Sequence, residues 1–165
     1  MNLNIRQQVA RSVQAIESKK GEGVVILEMD RNAGAFTDYF VLCSGTNPRQ
    51  IQAISDEIEK QLAQAGSRPN SVEGYKQAEW VLLDYVDFVV HIFSERARKF
   101  YDLERLWKST RRVSPADLLK KPVRRASAAP ATGSKPGGKR RSSSRSKATA
   151  KAARKAVKKR TRKSS

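Results

Sequence analysis

The stretch WVLLDYVDFVVHIFSERARKFYDLERLW, residues 80–107, decides the fold. Residues 79–85 and 87–93 are apolar runs that meet at Asp84-Tyr85-Val86-Asp87, which predicts a β-hairpin. Ser94 supplies the side-chain oxygen of an N-cap. Ala97, Phe100, Leu103 and Trp107 then follow at spacings that predict one helix with a single apolar side. Acids and aromatics set into a packed sheet suggest a surface that holds a partner.

The flanking residues extend the same pattern. Residues 71–76, SVEGYK, predict a short edge strand. Before them, Asn47-Pro48 is an N-cap followed by a proline suited to the first helical position. Ile51, Ile54, Ile58 and Leu62 form the buried stripe of that helix, and Gly66 is placed to end it left-handed. Residues 36–44, FTDYFVLCS, predict a strand whose unbroken apolar centre, Tyr39 to Cys43, implies burial on both faces. Residues 24–29, VVILEM, predict another strand, joined to it through a turn at Asp30 to Ala35. Residues 3–20 predict an amphipathic helix on Ile5, Val9, Val13 and Ile16, ended by Gly21-Glu22-Gly23. Ser114-Pro115-Ala116-Asp117 starts a further short helix near 115–121. The expected fold class is α/β, a single domain with a mixed β-sheet flanked by helices.

Charge divides the chain. Residues 1–119 hold 16 Lys+Arg against 16 Asp+Glu, while residues 120–165 hold the other 18 Lys+Arg and no acid. The net charge of +18 therefore belongs to the tail, and the body is not a basic DNA-binding domain. The single cysteine, Cys43, excludes an intramolecular disulfide and fits a reducing compartment. The N-terminus lacks the apolar run of a signal peptide, and no stretch approaches the roughly 20 apolar residues of a membrane span. The expectation is a soluble, cytoplasmic protein with no membrane partner.

Catalytic constellations are poorly represented. Asp84 and Asp87 are paired carboxylates, but they stand three apart across a turn, whereas one face of a strand needs a spacing of two. His91 is the only histidine, so a zinc cluster lacks its second one. It reads as a partly buried sheet residue or as part of a partner surface. Cys43 reads as a buried structural thiol. Ser44-Gly45-Thr46 lacks the Gly-x-x-x-x-Gly-Lys pattern of a phosphate loop. No metal, cofactor or enzymatic activity is expected. Trp80, Tyr85, Phe100, Tyr101 and Trp107 crowd one quarter of the body beside Asp84, Asp87, Glu95 and Asp102. Aromatics bury large area with few rotatable bonds, and carboxylates around them select a basic partner. The residues themselves therefore point to a binding module for a basic protein.

Three segments in order, FTDYFVLCSGTNPRQIQAISDEI (36–58), EGYKQAEWVLLDYVDFVVHIF (73–93) and RKFYDLERLW (98–107), resemble the ribosomal silencing factor, or Iojap, family over roughly residues 3–108. The resemblance implies a fold akin to a minimal nucleotidyltransferase without its catalytic acids. It implies binding to the large ribosomal subunit through ribosomal protein L-fourteen, a steric block to joining of the small subunit, and lower translation when nutrients are short. Organelle relatives point instead to large-subunit assembly, and self-association implies a homodimer as a further partner. The family's partner-binding positions fall here on Glu73, Gly74, Trp80, Asp84, Asp87 and Tyr101, with Tyr85 beside them. Sheet packing is the competing reading for Trp80 and Tyr101, and turn geometry for Asp84 and Asp87. One departure stands out: the family usually has Gly between the turn acids, where this chain has Val86. A β-branched residue disfavours positive φ, so either the turn differs or it is strained.

The expected organisation is a silencing-factor-like domain over 1–112 and a basic tail over 113–165. From residue 120 onward Val123 and Val157 are the only large apolar residues, too few to offset the entropy of ordering, so disorder is expected in the free state. Lys139, Arg140, Arg141, Lys158, Lys159 and Arg160 are expected to meet ribosomal RNA through phosphate contacts that read no sequence. Two other function classes compete. A nucleotidyltransferase-like enzyme needs converging acids, and a general nucleic-acid-binding protein needs the tail alone to account for binding.

Overall fold

The computed structural model describes residues 3–120. Helix α1 (Ile5–Ser18) leads into β1 (Glu22–Glu28), a one-turn 3-10 segment (Arg31–Ala33) and β2 (Tyr39–Gly45). Helix α2 (Pro48–Gln64) then leads to β3 (Ser71–Glu73), β4 (Trp80–Asp84) and β5 (Phe88–Ser94). The chain finishes with α3 (Glu95–Tyr101), α4 (Leu103–Leu106), β6 (Arg111–Val113) and α5 (Pro115–Leu119). One six-stranded sheet runs in the order β3-β4-β5-β2-β1-β6. Only β2 and β5 pair parallel. The ladders β1–β2, β1–β6, β3–β4 and β4–β5 are antiparallel. The expected α/β fold with a mixed sheet and flanking helices is the one observed.

Local chemistry explains the elements. Asn4 closes a capping box with Gln7 at the start of α1. Asn47 accepts from the Gln50 amide at 2.9 Å, with Pro48 opening α2. Gly66, at φ +80°, ends α2 while the Ser67 amide bonds back to the Leu62 carbonyl at 2.9 Å. Ile51, Ile54, Ile58 and Leu62 are fully buried, and each contributes roughly 1.5–3 kcal/mol relative to exposure.

The sheet carries a core on each face. Tyr39, Val41, Cys43, Val81, Leu83, Val90 and Ile92 pack beneath α1 and α2, with Leu118 of α5 closing the same layer. Phe40, Leu42, Trp80, Leu82, Val89 and Phe93 point the other way, under Ala97 of α3 and Leu103 of α4. The central strand β2 is thus buried on both sides, as its unbroken apolar run predicts.

Four expectations need correction. The strand expected over 36–44 begins at Tyr39, because the Asp38 amide turns away to the Asp87 carbonyl at 2.8 Å. The single helix expected after Ser94 is two. Asp102 adopts φ +41°, ends α3 and starts α4, so the frame shifts. Tyr101 turns inward and Phe100 is left 70% exposed. The edge strand expected over 71–76 is limited to Ser71–Glu73. Finally, residue 112 lies within β6, which pairs with β1, and α5 then packs on α1 through a bond from Arg6 Nη2 to the Asp117 carbonyl at 2.7 Å. The folded body therefore continues past residue 112. Among the described residues no helix is long and apolar enough to cross a membrane.

Candidate functional site

The strand ladders assemble one distinctive face. Glu73 pairs with Leu82 and Ser71 with Asp84, while Trp80 pairs with Phe93 and Leu82 with His91. Directly opposed residues share a face. Glu73, Trp80, Asp84, His91 and Phe93 therefore lie together on the side of the sheet away from α1 and α2, and α3 brings Tyr101 over the same side.

Aromatic rings pave its centre. Trp80 stacks on Phe93 with ring centroids 5.1 Å apart and meets Tyr101 at 4.4 Å. Its Nε1–H donates to His91 Nδ1 at 3.2 Å. That bond requires an unprotonated Nδ1 and orients both rings. Phe40 stands edge-on to His91 at 5.0 Å and to Trp107 at 5.8 Å. Such pairs contribute about 0.5–1.5 kcal/mol each beyond area burial, so this layer is rigid.

The acids sit at the margin of this layer. Glu73 and Asp84 are diagonal neighbours across the β3–β4 ladder. Glu73 is half-buried, and its Oε2 is shielded from solvent with no hydrogen-bond partner among the described residues. A shielded acceptor left unbonded is costly. Gly74, at φ +77°, turns the chain directly beneath the Trp80 carbonyl, where any Cβ would collide with the oxygen. Glycine here is what lets Glu73 and Trp80 approach. Asp84 is buried, and its Oδ1 accepts from the Val86 amide at 2.8 Å.

The hairpin tip is braced from the side. Arg31 holds Asp38 through Nε and Nη2, and its Nη2 also reaches Asp87 at 3.1 Å. Within the turn the Asp87 amide donates to the Tyr85 carbonyl at 2.8 Å, around a Val86 at φ +71°. A bond spanning two residues about a positive φ is the rarer, strained form of γ-turn. Of the two alternatives that Val86 poses, strain is the one realised.

The structure brings Glu73, Gly74, Trp80, Asp84 and Tyr101 together but not Tyr85. Tyr85 lies on the opposite side of the sheet, stacked on Phe88 at 4.7 Å in the core under α1 and α2, where burial pushes its phenol pKa up. Trp80 and Asp84 are only 4% and 6% exposed, so both are chiefly supports for the face. Asp87 projects from the turn beside Arg31. Cys43 is fully buried, and burial raises its thiol to about 12 despite the nearby Arg98. His91 is buried and pairs with Trp80. Arg31 and Arg98 carry structural roles that residue spacing does not reveal. Arg98 bonds Ser44 at 2.9 Å and Glu104 at 2.7 Å, tying α3 to the sheet and to α4. Phe36, Phe100 and Leu106 are exposed apolar residues, of which the sequence singled out only Phe100. Among the described residues no group of three or more His, Cys, Asp or Glu is placed to hold a metal ion. Lys139, Arg140, Arg141, Lys158, Lys159 and Arg160 lie outside the described residues.

Comparison with known proteins agrees in sequence and in structure. The family model described as "Ribosomal silencing factor during starvation" matches residues 2–159, beyond the roughly 3–108 that the resemblance covers. A protein of Halalkalibacterium halodurans named "Ribosomal silencing factor RsfS" is 42% identical over 96 residues, covering 58% of this chain and 81% of the relative. A mouse protein named "Mitochondrial assembly of ribosomal large subunit protein 1" is 32% identical over 75 residues, 44% of this chain and 33% of that protein. A crystal structure from Bacillus halodurans superposes with a TM-score of 0.58 at 38% identity, covering 66% of this chain and 98% of that one. With a matched family model across nearly all of its length and a superposable solved fold, the chain belongs to the ribosomal silencing factor family.

Proposed function

We propose that this chain docks the sheet face opposite α1 and α2 on the large ribosomal subunit, against ribosomal protein L-fourteen. By occupying the surface where the small subunit joins, it lowers translation under nutrient limitation. The observation that carries the reading is the margin of that face. Glu73, with a shielded and unbonded carboxylate oxygen, borders a rigid aromatic layer of Trp80, Tyr101, Phe40 and Phe93. The buried rings hold the face rigid, so little entropy is lost on docking, and the half-buried Glu73 carboxylate at its edge selects Lys or Arg on the partner. The function needs surface and charge rather than a reacting group, so it is a binding activity without a catalytic step or cofactor. It belongs in the cytoplasm, where ribosomes assemble from their subunits. Self-association into a homodimer is a further expectation that the same face would serve or compete with.

The basic tail adds affinity for ribosomal RNA by releasing counterions, which strengthens binding without sequence preference. A second reading, assembly of the large subunit, is supported by the name of the mouse relative. A subunit-joining assay with Glu73→Lys separates the two. Under the blocking reading the native chain prevents joining of mature subunits and Glu73→Lys does not. If the native chain leaves joining untouched, blocking fails, and accumulation of immature large subunits on depletion would support assembly.

A further inference from the structure

The strand that carries Glu73 has little of its own to hold it. β3 is three residues long, lies at the edge of the sheet and pairs with β4 alone. Ladder bonds at so short an edge open locally at low cost. Glu73 is the last residue of the strand, and Gly74 turns away at φ +77° directly after it. A carboxylate that must meet a partner cation has to be held to within about 0.5 Å.

The holding comes from the other side of the sheet. Residues 74–78 form a turn closed by the Ala78 amide on the Gly74 carbonyl at 3.0 Å, and Tyr75 inside that turn is tied twice to α2. Gln52 Nε2 donates to the Tyr75 carbonyl at 3.0 Å, and the Tyr75 hydroxyl donates to Asp56 Oδ2, also at 3.0 Å. Gln52 and Asp56 stand four residues apart on α2, so both face the same neighbour. The hydrogen bond to the Asp56 carboxylate raises the Tyr75 phenol above its ordinary pKa. Neither helix residue is needed to seat α2. Gln52 is half-buried and Asp56 exposed, whereas Ile51, Ile54, Ile58 and Leu62 carry the packing. The two bonds therefore fix the turn rather than the helix. On the near side, Gly74 lies beneath the Trp80 carbonyl with no room for a Cβ. Glu73 is thus pinned between the aromatic layer and α2.

We propose that Gln52, Asp56 and Tyr75 are positioning residues of the docking margin. They act on the partner only through Glu73, by holding the β3–β4 turn where its carboxylate borders the aromatic layer. The inference rests on the docking reading above and deepens it, because it extends the binding apparatus to a helix on the opposite side of the sheet.

The test is a double-mutant cycle on the full chain, read as Kd for purified large subunits by cosedimentation, with thermal unfolding alongside. Gln52→Met keeps the stem and removes the donor, and Tyr75→Phe keeps the ring and removes the hydroxyl. Glu73→Gln should weaken binding roughly tenfold. The pair Gln52→Met with Tyr75→Phe should weaken it roughly fivefold, with only a small change in Tm. Added to Glu73→Gln, the same pair should change binding by less than about twofold, because its effect runs through the charge already removed. Asp56→Asn keeps an oxygen acceptor for Tyr75 and should bind like the native chain. Native affinity in the Gln52→Met, Tyr75→Phe pair would overturn the positioning role. So would an equal loss with and without the Glu73 carboxylate, which marks direct contact or general destabilisation. A loss in Asp56→Asn would mean that its charge meets the partner directly, and would overturn its part. These failures leave the docking face standing. Native affinity in Glu73→Gln is the failure of the docking reading itself, and the inference falls with it.

Discussion

Replacing Val86 by glycine should stabilise the protein, against the usual sign for removing a side chain. Val86 sits at φ +71° in the tip of the β4–β5 hairpin, and its side chain is 59% exposed. A β-branched residue in that conformation costs about 1–3 kcal/mol. Glycine relieves this but adds roughly 0.5–1 kcal/mol of unfolded-state entropy. A mostly exposed valine buries little apolar area, and giving that area up costs about 0.5 kcal/mol. The net gain is about 1 kcal/mol, or an increase of roughly 4 °C in Tm for a body of this size. The surrounding bonds, Asp84 Oδ1 to the Val86 amide and the Asp87 amide to the Tyr85 carbonyl, use only backbone at position 86 and survive the change. Thermal unfolding followed by circular dichroism, with Val86→Ala alongside, is the assay. Val86→Ala keeps a Cβ and should gain less than glycine. A Tm that falls in Val86→Gly, or is equal in both variants, would refute a strained positive-φ turn at this position.

Other consequences follow from the same geometry. Gly74→Ala forces a Cβ into the Trp80 carbonyl and should lose at least ~2 kcal/mol in urea unfolding, with weaker large-subunit binding because Glu73 shifts. Trp80→Ala removes a buried ring and should cost about 3–5 kcal/mol, so its binding defect will accompany a stability defect. Arg31→Ala removes only partly exposed ion pairs and should cost about 1 kcal/mol or less, an effect that shrinks further in high salt. Cys43 has a folded pKa pushed up to about 12, so the unfolded chain ionises first as pH rises. Stability should therefore fall between pH 9 and 12, and Cys43→Ala should flatten that slope in denaturant titrations.

Apolar patterning is what made the fold readable. The α2 stripe repeats at 3.6 residues, and the short unbroken apolar runs of β2, β4 and β5, bounded by turn residues, read as strands buried on both faces. β6 escaped because Arg111-Arg112-Val113 is a three-residue edge that is paired through its backbone, with two exposed arginines. The break at Asp102 escaped because it is a single left-handed residue in a sequence that reads as continuous helix. The candidate site was legible in part. Resemblance and composition pointed to Glu73, Trp80, Asp84 and Tyr101; the register puts the first three on one face, and Tyr101 of α3 meets Trp80 there. Sequence order could not say that Trp80 and Asp84 would be buried beneath it, nor that Tyr85, one residue past Asp84, would turn to the other side. Alternation along a strand separates neighbours that look like one cluster in the sequence.

The most direct test of the docking face is photocrosslinking of the full chain to purified large subunits. A benzophenone side chain replaces Phe100 on α3 in one variant and Gln14 on α1 in the other, both positions being exposed. Docking through the face that α3 borders predicts crosslinks to a large-subunit protein from position 100 and none from position 14. Crosslinks from position 14 alone would put the α1–α2 side against the ribosome and contradict the account.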